Sequence, residues 1–167
     1  MKMNTLQKFA IDLQKIAGLP CWAVIAGKGT GTRVSLQIGA KVKRGKPARN
    51  PHLSGAAREF TGEYCLFIMD CSWRLDAEKE VLCSSRSSSN LDGSEMLIGL
   101  RKIIGEQIVE VRVTPPAHDL VLYFRNGCTL HLFVDGVDKN EGCDNYVFFA
   151  KETNYVVKSK GLVAEEK

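Results

Sequence analysis

Two stretches of the chain repeat one pattern, and an internal repeat limits the fold more than any composition does. Around Gly31 to Arg74 the chain reads Thr-Arg-Val-Ser-Leu-Gln-Ile-Gly, a linker, then Gly-Glu-Tyr-Cys-Leu-Phe-Ile-Met-Asp-Cys-Ser-Trp-Arg. Around Asp119 to Val157 it reads Asp-Leu-Val-Leu-Tyr-Phe-Arg-Asn-Gly, another strand, then Asp-Asn-Tyr-Val-Phe-Phe-Ala-Lys-Glu-Thr-Asn-Tyr-Val-Val. Each block follows one short amphipathic segment. The pattern predicts an α+β fold of two helix-plus-antiparallel-meander halves related by a pseudo-twofold. Two amphipathic helices would pack on roughly eight to ten strands. The halves are residues 1–82 and 94–160, with a serine-rich seam at 83–93, in a single domain over 1–167.

The periodicities place the elements. Leu6, Phe9, Ala10, Leu13, Ile16 and Ala17 recur at three- and four-residue spacing, so 4–17 reads as a helix that Asn4 or Thr5 can cap. Gly18 and Pro20 end it. Cys21–Ala26 is a short apolar strand. Val34, Leu36 and Ile38 alternate with Ser35 and Gln37, the period of a half-buried strand. Residues 62–74 read as strand, with Cys65 and Cys71 sharing the parity of Phe67, Met69 and Trp73, as small buried hydrophobes do. A second helix is expected at 94–104, capped by Asp92 or Ser94 and closed by Gly105. Strands follow over 108–113, 120–124, 128–134, 146–149 and 155–157, with Asn126-Gly127 marking a hairpin. The tail at Glu165-Glu166-Lys167 is expected to fray.

Charge is the strongest functional signal. Residues 1–62 hold 11 Lys/Arg against 2 Asp/Glu, a balance of +9, and the remainder 12 against 17, a balance of −5. Lys41, Lys43, Arg44, Lys46, Arg49 and Arg58 fall in a proline- and glycine-bearing stretch that reads as a basic loop over 41–58. Asp135, Asp138, Glu141 and Asp144 fall in an acidic loop. Either could meet a partner of opposite sign, and either could be a solvated face. The basic loop could also meet a phosphate backbone, although no tyrosine or tryptophan is interleaved with its cations.

Signatures of catalysis and cofactor binding are missing. Gly27-Lys28-Gly29-Thr30-Gly31 runs into a strand, whereas a phosphate cradle runs into a helix whose amides face the anion. The six cysteines form no C-x-x-C pair, so no metal or cofactor is expected. His118-Asp119 could act as a general base, but no nucleophile has a defined setting beside it. No run of eighteen apolar residues exists and the N-terminus lacks an apolar leader core, so a cytoplasmic protein without a membrane span is expected.

The patterning resembles a known group. Leu19-Pro20-Cys21-Trp22, the glycine loop at 27–31, Ile38-Gly39 and Gly62 through Trp73 look like a set of small uncharacterised bacterial proteins. Gly105, Ile108, Asp119 to Phe124, Asn126-Gly127, Leu130 and Asp144-Asn145-Tyr146 resemble the immunity proteins of contact-dependent toxin systems. The resemblance carries no catalytic residues. It implies a non-enzymatic inhibitor that occludes a cognate toxin domain, with a nucleic-acid-binding module as the alternative. A basic nuclease as the toxin would favour the acidic loop as the contact.

Overall fold

The computed structural model describes residues 3–53, 55–136 and 144–166. Helix α1 spans Thr5–Gln14. Asn4 and Gln7 form a reciprocal cap, each side chain accepting from the other's backbone N–H at 2.9 and 3.0 Å. Its apolar stripe buries Phe9 and Leu13, and Ile16 continues it in the following turn. Strands β1 (Cys21–Ile25) and β2 (Val34–Lys43) follow, then a single helical turn α2 (Ala56–Glu59) and strands β3 (Phe60–Ile68), β4 (Ser72–Asp76) and β5 (Val81–Ser84). Helix α3 (Glu95–Arg101) starts where the Ser94 hydroxyl accepts from the Leu97 N–H. Strands β6 (Ile108–Thr114), β7 (Asp119–Phe124), β8 (Thr129–Phe133), β9 (Asp144–Phe149), β10 (Asn154–Lys158) and β11 (Val163–Glu166) complete the chain.

All strand pairs are antiparallel, in two sheets of order β1-β2-β3-β9-β10-β11 and β5-β4-β8-β7-β6. The α+β class therefore holds. Each sheet buries one face. Val34, Leu36, Ile38, Tyr64, Leu66, Ile68, Tyr146 and Phe148 meet Trp73, Leu75, Leu120, Leu122, Leu130 and Leu132 in one shared core. Helix α1 packs beside β6 and β11, and α3 beside β5. The helices so close the core where the sheets do not meet each other.

The halves interlock instead of standing side by side. The first half gives its meander β1-β2-β3 to the six-stranded sheet and β4-β5 to the other. The second half gives its meander β6-β7-β8 to the five-stranded sheet and its last strands to the first. The start of each meander is stitched to the other by reciprocal backbone bonds. Gly18 N–H donates to Ile108 and Gly105 N–H to Cys21, both at 2.7 Å, and Pro20 bridges Gln107 between them. The equivalence is not exact. Among the described residues the α-helices number three, not two, and α2 and β11 have no counterparts.

Four expectations change. Residues 62–74 are two strands in different sheets, because the chain turns after Ile68. Cys65 and Phe67 thus face outward while Cys71 and Trp73 face the core, and parity does not carry across the turn. In the repeat the counterpart of β9 is accordingly β4 alone, in the other sheet, and not the whole block from Gly62 to Arg74. The basic stretch is not all loop: Lys41–Lys43 pair with Gly62–Phe60 in the hairpin, and α2 sits within it. Glu165 and Glu166 of the tail belong to β11, because Asn154–Val157 offer it an open edge, and Lys167 lies outside the described residues. Among the described residues, no helix is long and apolar enough to cross a membrane.

Candidate binding site

The outer face of the six-stranded sheet is not flat. Gly39 and Ala40 form a bulge between Ile38 and Lys41 of β2, where β3 has Glu63 alone. Gly39 takes φ 81°, a conformation that glycine adopts without a Cβ clash. The Ala40 N–H is received by the Glu63 carboxylate at 3.1 Å. Opposite, Gly62 lies so close to β2 that an added Cβ would sit 2.5 Å from the Ile38 nitrogen. The extra residue bends the hairpin, and the bend leaves a trough of about 880 Å³ along β3.

The register gives the trough its rows. Ile25, Ser35 and Phe67 lie across one end, and Gln37, Cys65 and Phe149 across the middle. Val42 and Thr61 follow, and Arg44 closes the far end. The floor is polar but self-satisfied. Gln37 is 2 % exposed. Its carbonyl accepts from the Thr61 hydroxyl (2.9 Å) and the Gly62 N–H (2.8 Å). Its amide nitrogen donates to the Ser35 oxygen (2.9 Å) and the Cys65 sulfur (3.3 Å). All four hydrogen-bonding positions of a primary amide are thereby used.

The charges around the trough differ in state. Lys151 is paired with Glu63. The hydrogen bond from Lys151, and then the Ala40 amide, hold the Glu63 carboxyl below its ordinary range. Arg44 is pinned by its Nε, which donates to the Phe60 carbonyl at 3.1 Å. Among the described residues, no carboxylate lies within ion-pair distance of Lys41, Lys43, Arg44, Lys46 or Arg49. Lys41 lies 5.0 Å from the centre of the Trp22 ring, and Lys43, Lys46 and Arg49 are exposed.

The acidic set is elsewhere and partly engaged. The exposed Asp135 carboxylate accepts from both the amide and the hydroxyl of Ser72. Asp144 opens β9, half-buried, and its carbonyl accepts from the Asp70 N–H. Asp70 itself pairs with Arg33 at 3.2 Å. Asp138 and Glu141 lie outside the described residues. Lys43 pairs with Phe60 at one end of the hairpin and Val34 with Ile68 at the other. The length of β3 puts the two charged sets roughly 26 Å apart, at opposite ends of one strand. They are two surfaces, not one site.

Burial pushes the Cys65 thiol up, against the opposing hydrogen bonds from Ser35 and Gln37, so it is not a poised nucleophile. His118 and Asp119 are engaged with backbone. The His118 ring nitrogen Nδ1 is 2.7 Å from the Gly161 carbonyl, and Asp119 accepts from the Val134 N–H at 2.6 Å. Phe9 packs edge-on against the His118 ring.

The trough was not foreseen from sequence. Ser35 and Gln37 read as solvent-facing alternates of Val34, Leu36 and Ile38, yet Gln37 is buried. The available signal was Ile38-Gly39-Ala40, a glycine interrupting a strand, which marks a bulge. No protein-family model, curated protein or solved structure matches this chain, so its function is argued from its own geometry.

Proposed function

We propose that the chain is a non-enzymatic immunity-type protein that neutralises a bacterial toxin domain by one-to-one binding. The contact is the basic end of the β2–β3 hairpin, not the acidic loop. One observation carries this choice. Among the described residues, Lys41, Lys43, Lys46 and Arg49 have no carboxylate within ion-pair distance; Lys41 lies over the Trp22 ring, and Lys41 and Lys43 flank Val42, which is 47 % exposed. Unpaired cations around exposed apolar surface have the make-up of an interface: charges set encounter rate and register, and the apolar centre supplies affinity. At the acidic end, by contrast, Asp70 and Asp135 already have partners within the chain. The partner surface is therefore acidic, and inhibition is occlusion.

The test uses the product of the neighbouring reading frame, which the proposal expects to be a toxin domain. Co-expression should restore growth, and the two chains should elute together as a one-to-one complex. Reversing Lys41, Lys43, Lys46 and Arg49 to Glu should weaken binding at least tenfold, about 1.4 kcal/mol. Changing Asp135 and Asp144 to Asn should leave it unaltered. A neighbouring product that neither binds nor kills would reject the reading. The same cations could instead meet a phosphate backbone, in which case affinity for a DNA or RNA duplex would fall steeply with log salt. That result without any protein complex would replace an immunity protein with a nucleic-acid binder.

A further inference from the structure

We infer that the trough on the six-stranded sheet is a binding site for an amphipathic monocarboxylate, an acyl chain with a carboxylate head held by Arg44. This does not rest on the toxin reading, which concerns the neighbouring cations and shares only Val42 with the trough. Four observations carry it. The cavity of about 880 Å³ lies in the range of small-molecule sites. Its sides are Ile25, Val42, Phe67 and Phe149, all apolar. The polar floor under them asks nothing of a ligand, because Gln37 binds Ser35, Cys65, Thr61 and the Gly62 amide and has no donor or acceptor left over. An apolar chain can therefore lie across it without orphaning a buried group.

The charge fixes the head. Lys151 and Glu63 cancel each other at the side of the trough. That leaves Arg44, whose Nε is held by the Phe60 carbonyl while its two terminal nitrogens have no carboxylate among the described residues. A guanidinium held by Nε keeps a planar two-pronged donor for a carboxylate. Arg44 sits at the Thr61 end and Ile25 and Phe67 at the other. Thr61 and Phe67 are six residue steps apart along β3, roughly 20 Å, which suits a long chain over a short acid. The ligand thus has one negative head, a long apolar body and no need for further polar groups.

The experiment titrates the isotope-labelled chain with sodium dodecanoate below its micelle concentration and follows backbone amide shifts. Saturable shifts are expected at Ser35, Gln37, Thr61, Cys65 and Phe149. Dodecanol should bind at least tenfold more weakly, and dodecyltrimethylammonium more weakly still. Arg44→Gln should erase the preference for acid over alcohol and leave alcohol binding in place. Phe149→Ser should weaken both, which separates loss of the wall from loss of the head group. Shifts confined to other surfaces, no saturation, or an Arg44→Gln variant that keeps the acid preference would each overturn the inference. Acetate binding as well as dodecanoate would do so too, since it would reduce the site to an anion contact. None of these outcomes bears on toxin binding, because Arg44 is outside the set reversed in that test.

Discussion

On the outer face of the five-stranded sheet nearly every charge has an answer close by. Asp76 receives Arg74 through two nitrogens at 2.8 Å and lies 3.2 Å from His131 Nε2. Arg112 pairs with Glu110, and the Arg74 and Arg112 guanidinium carbons lie 5.9 and 5.0 Å from the Phe133 and Tyr123 ring centres. On the outer face of the six-stranded sheet the buried amide is satisfied but the basic end is not. Arg44 there has no carboxylate among the described residues, and neither have Lys41, Lys43, Lys46 and Arg49 of the same hairpin end. The difference teaches where binding capacity resides. A face that answers its own charges gains little from a partner, while a face with a bent floor and unanswered cations has something to offer one.

The sharpest way to break the contrast is to remove the bend. Gly62→Ala places a methyl 2.5 Å from the Ile38 nitrogen and 2.8 Å from its carbonyl oxygen, where backbone cannot retreat. We expect a loss of about 3 kcal/mol in urea unfolding, together with loss of the trough. Gln37→Leu comes next. It keeps the volume but strips Thr61, Ser35 and the Gly62 amide of their partner, and should destabilise by about 2 kcal/mol. On the other face, Asp76→Asn should lower stability by only about 0.5 kcal/mol, because its partners are partly exposed and solvent-screened. It should leave partner binding unchanged. A larger effect of Asp76→Asn on binding than of the hairpin variants would exchange the roles of the two faces.

The smallest effect is in pH. Glu63 is more acidic in the folded chain than its ordinary value, so its contribution is present at neutral pH. It is lost as pH falls through the ordinary carboxylate range and the lower folded value. Glu63→Gln should flatten that part of the acid limb in a series of unfolding curves, by a few tenths of a kcal/mol for so exposed a pair. Asp12 should leave the rest of the limb in place. Burial raises its pKa, but hydrogen bonds from Lys15 and Tyr155 and the nearby Lys8 outweigh this and hold it low.

Much of the architecture was legible because local rules and the fold agree. Asn4 and Ser94 cap the helices as their position promised, and the alternation of Leu120, Leu122 and Phe124 or Leu130 and Leu132 reads directly as one buried face. What failed were boundaries set by distant contacts. Met69–Cys71 carry no proline or glycine, so nothing in the run marked the passage from one sheet to the other. The assignment of β4 to the sheet of β6–β8 is tertiary and has no local signature. The tail, charged and terminal, becomes β11 only because β10 has a free edge beside it. The site was less legible still. Sequence grouped cations and acids by proximity along the chain, whereas the hairpin separates them and the bulge at Gly39 assembles Ser35, Gln37, Thr61, Cys65 and Phe149 from three strands.

Hydrogen exchange of the chain alone and in complex with the toxin domain that the proposal expects from the neighbouring reading frame tests the assignment of the binding face most directly. Slowed exchange is expected over 40–49 and in the adjoining rows at 60–65, with no change over 72–76 and 129–135. Protection confined to 72–76 and 129–135, with 40–49 exchanging as in the free chain, would contradict it.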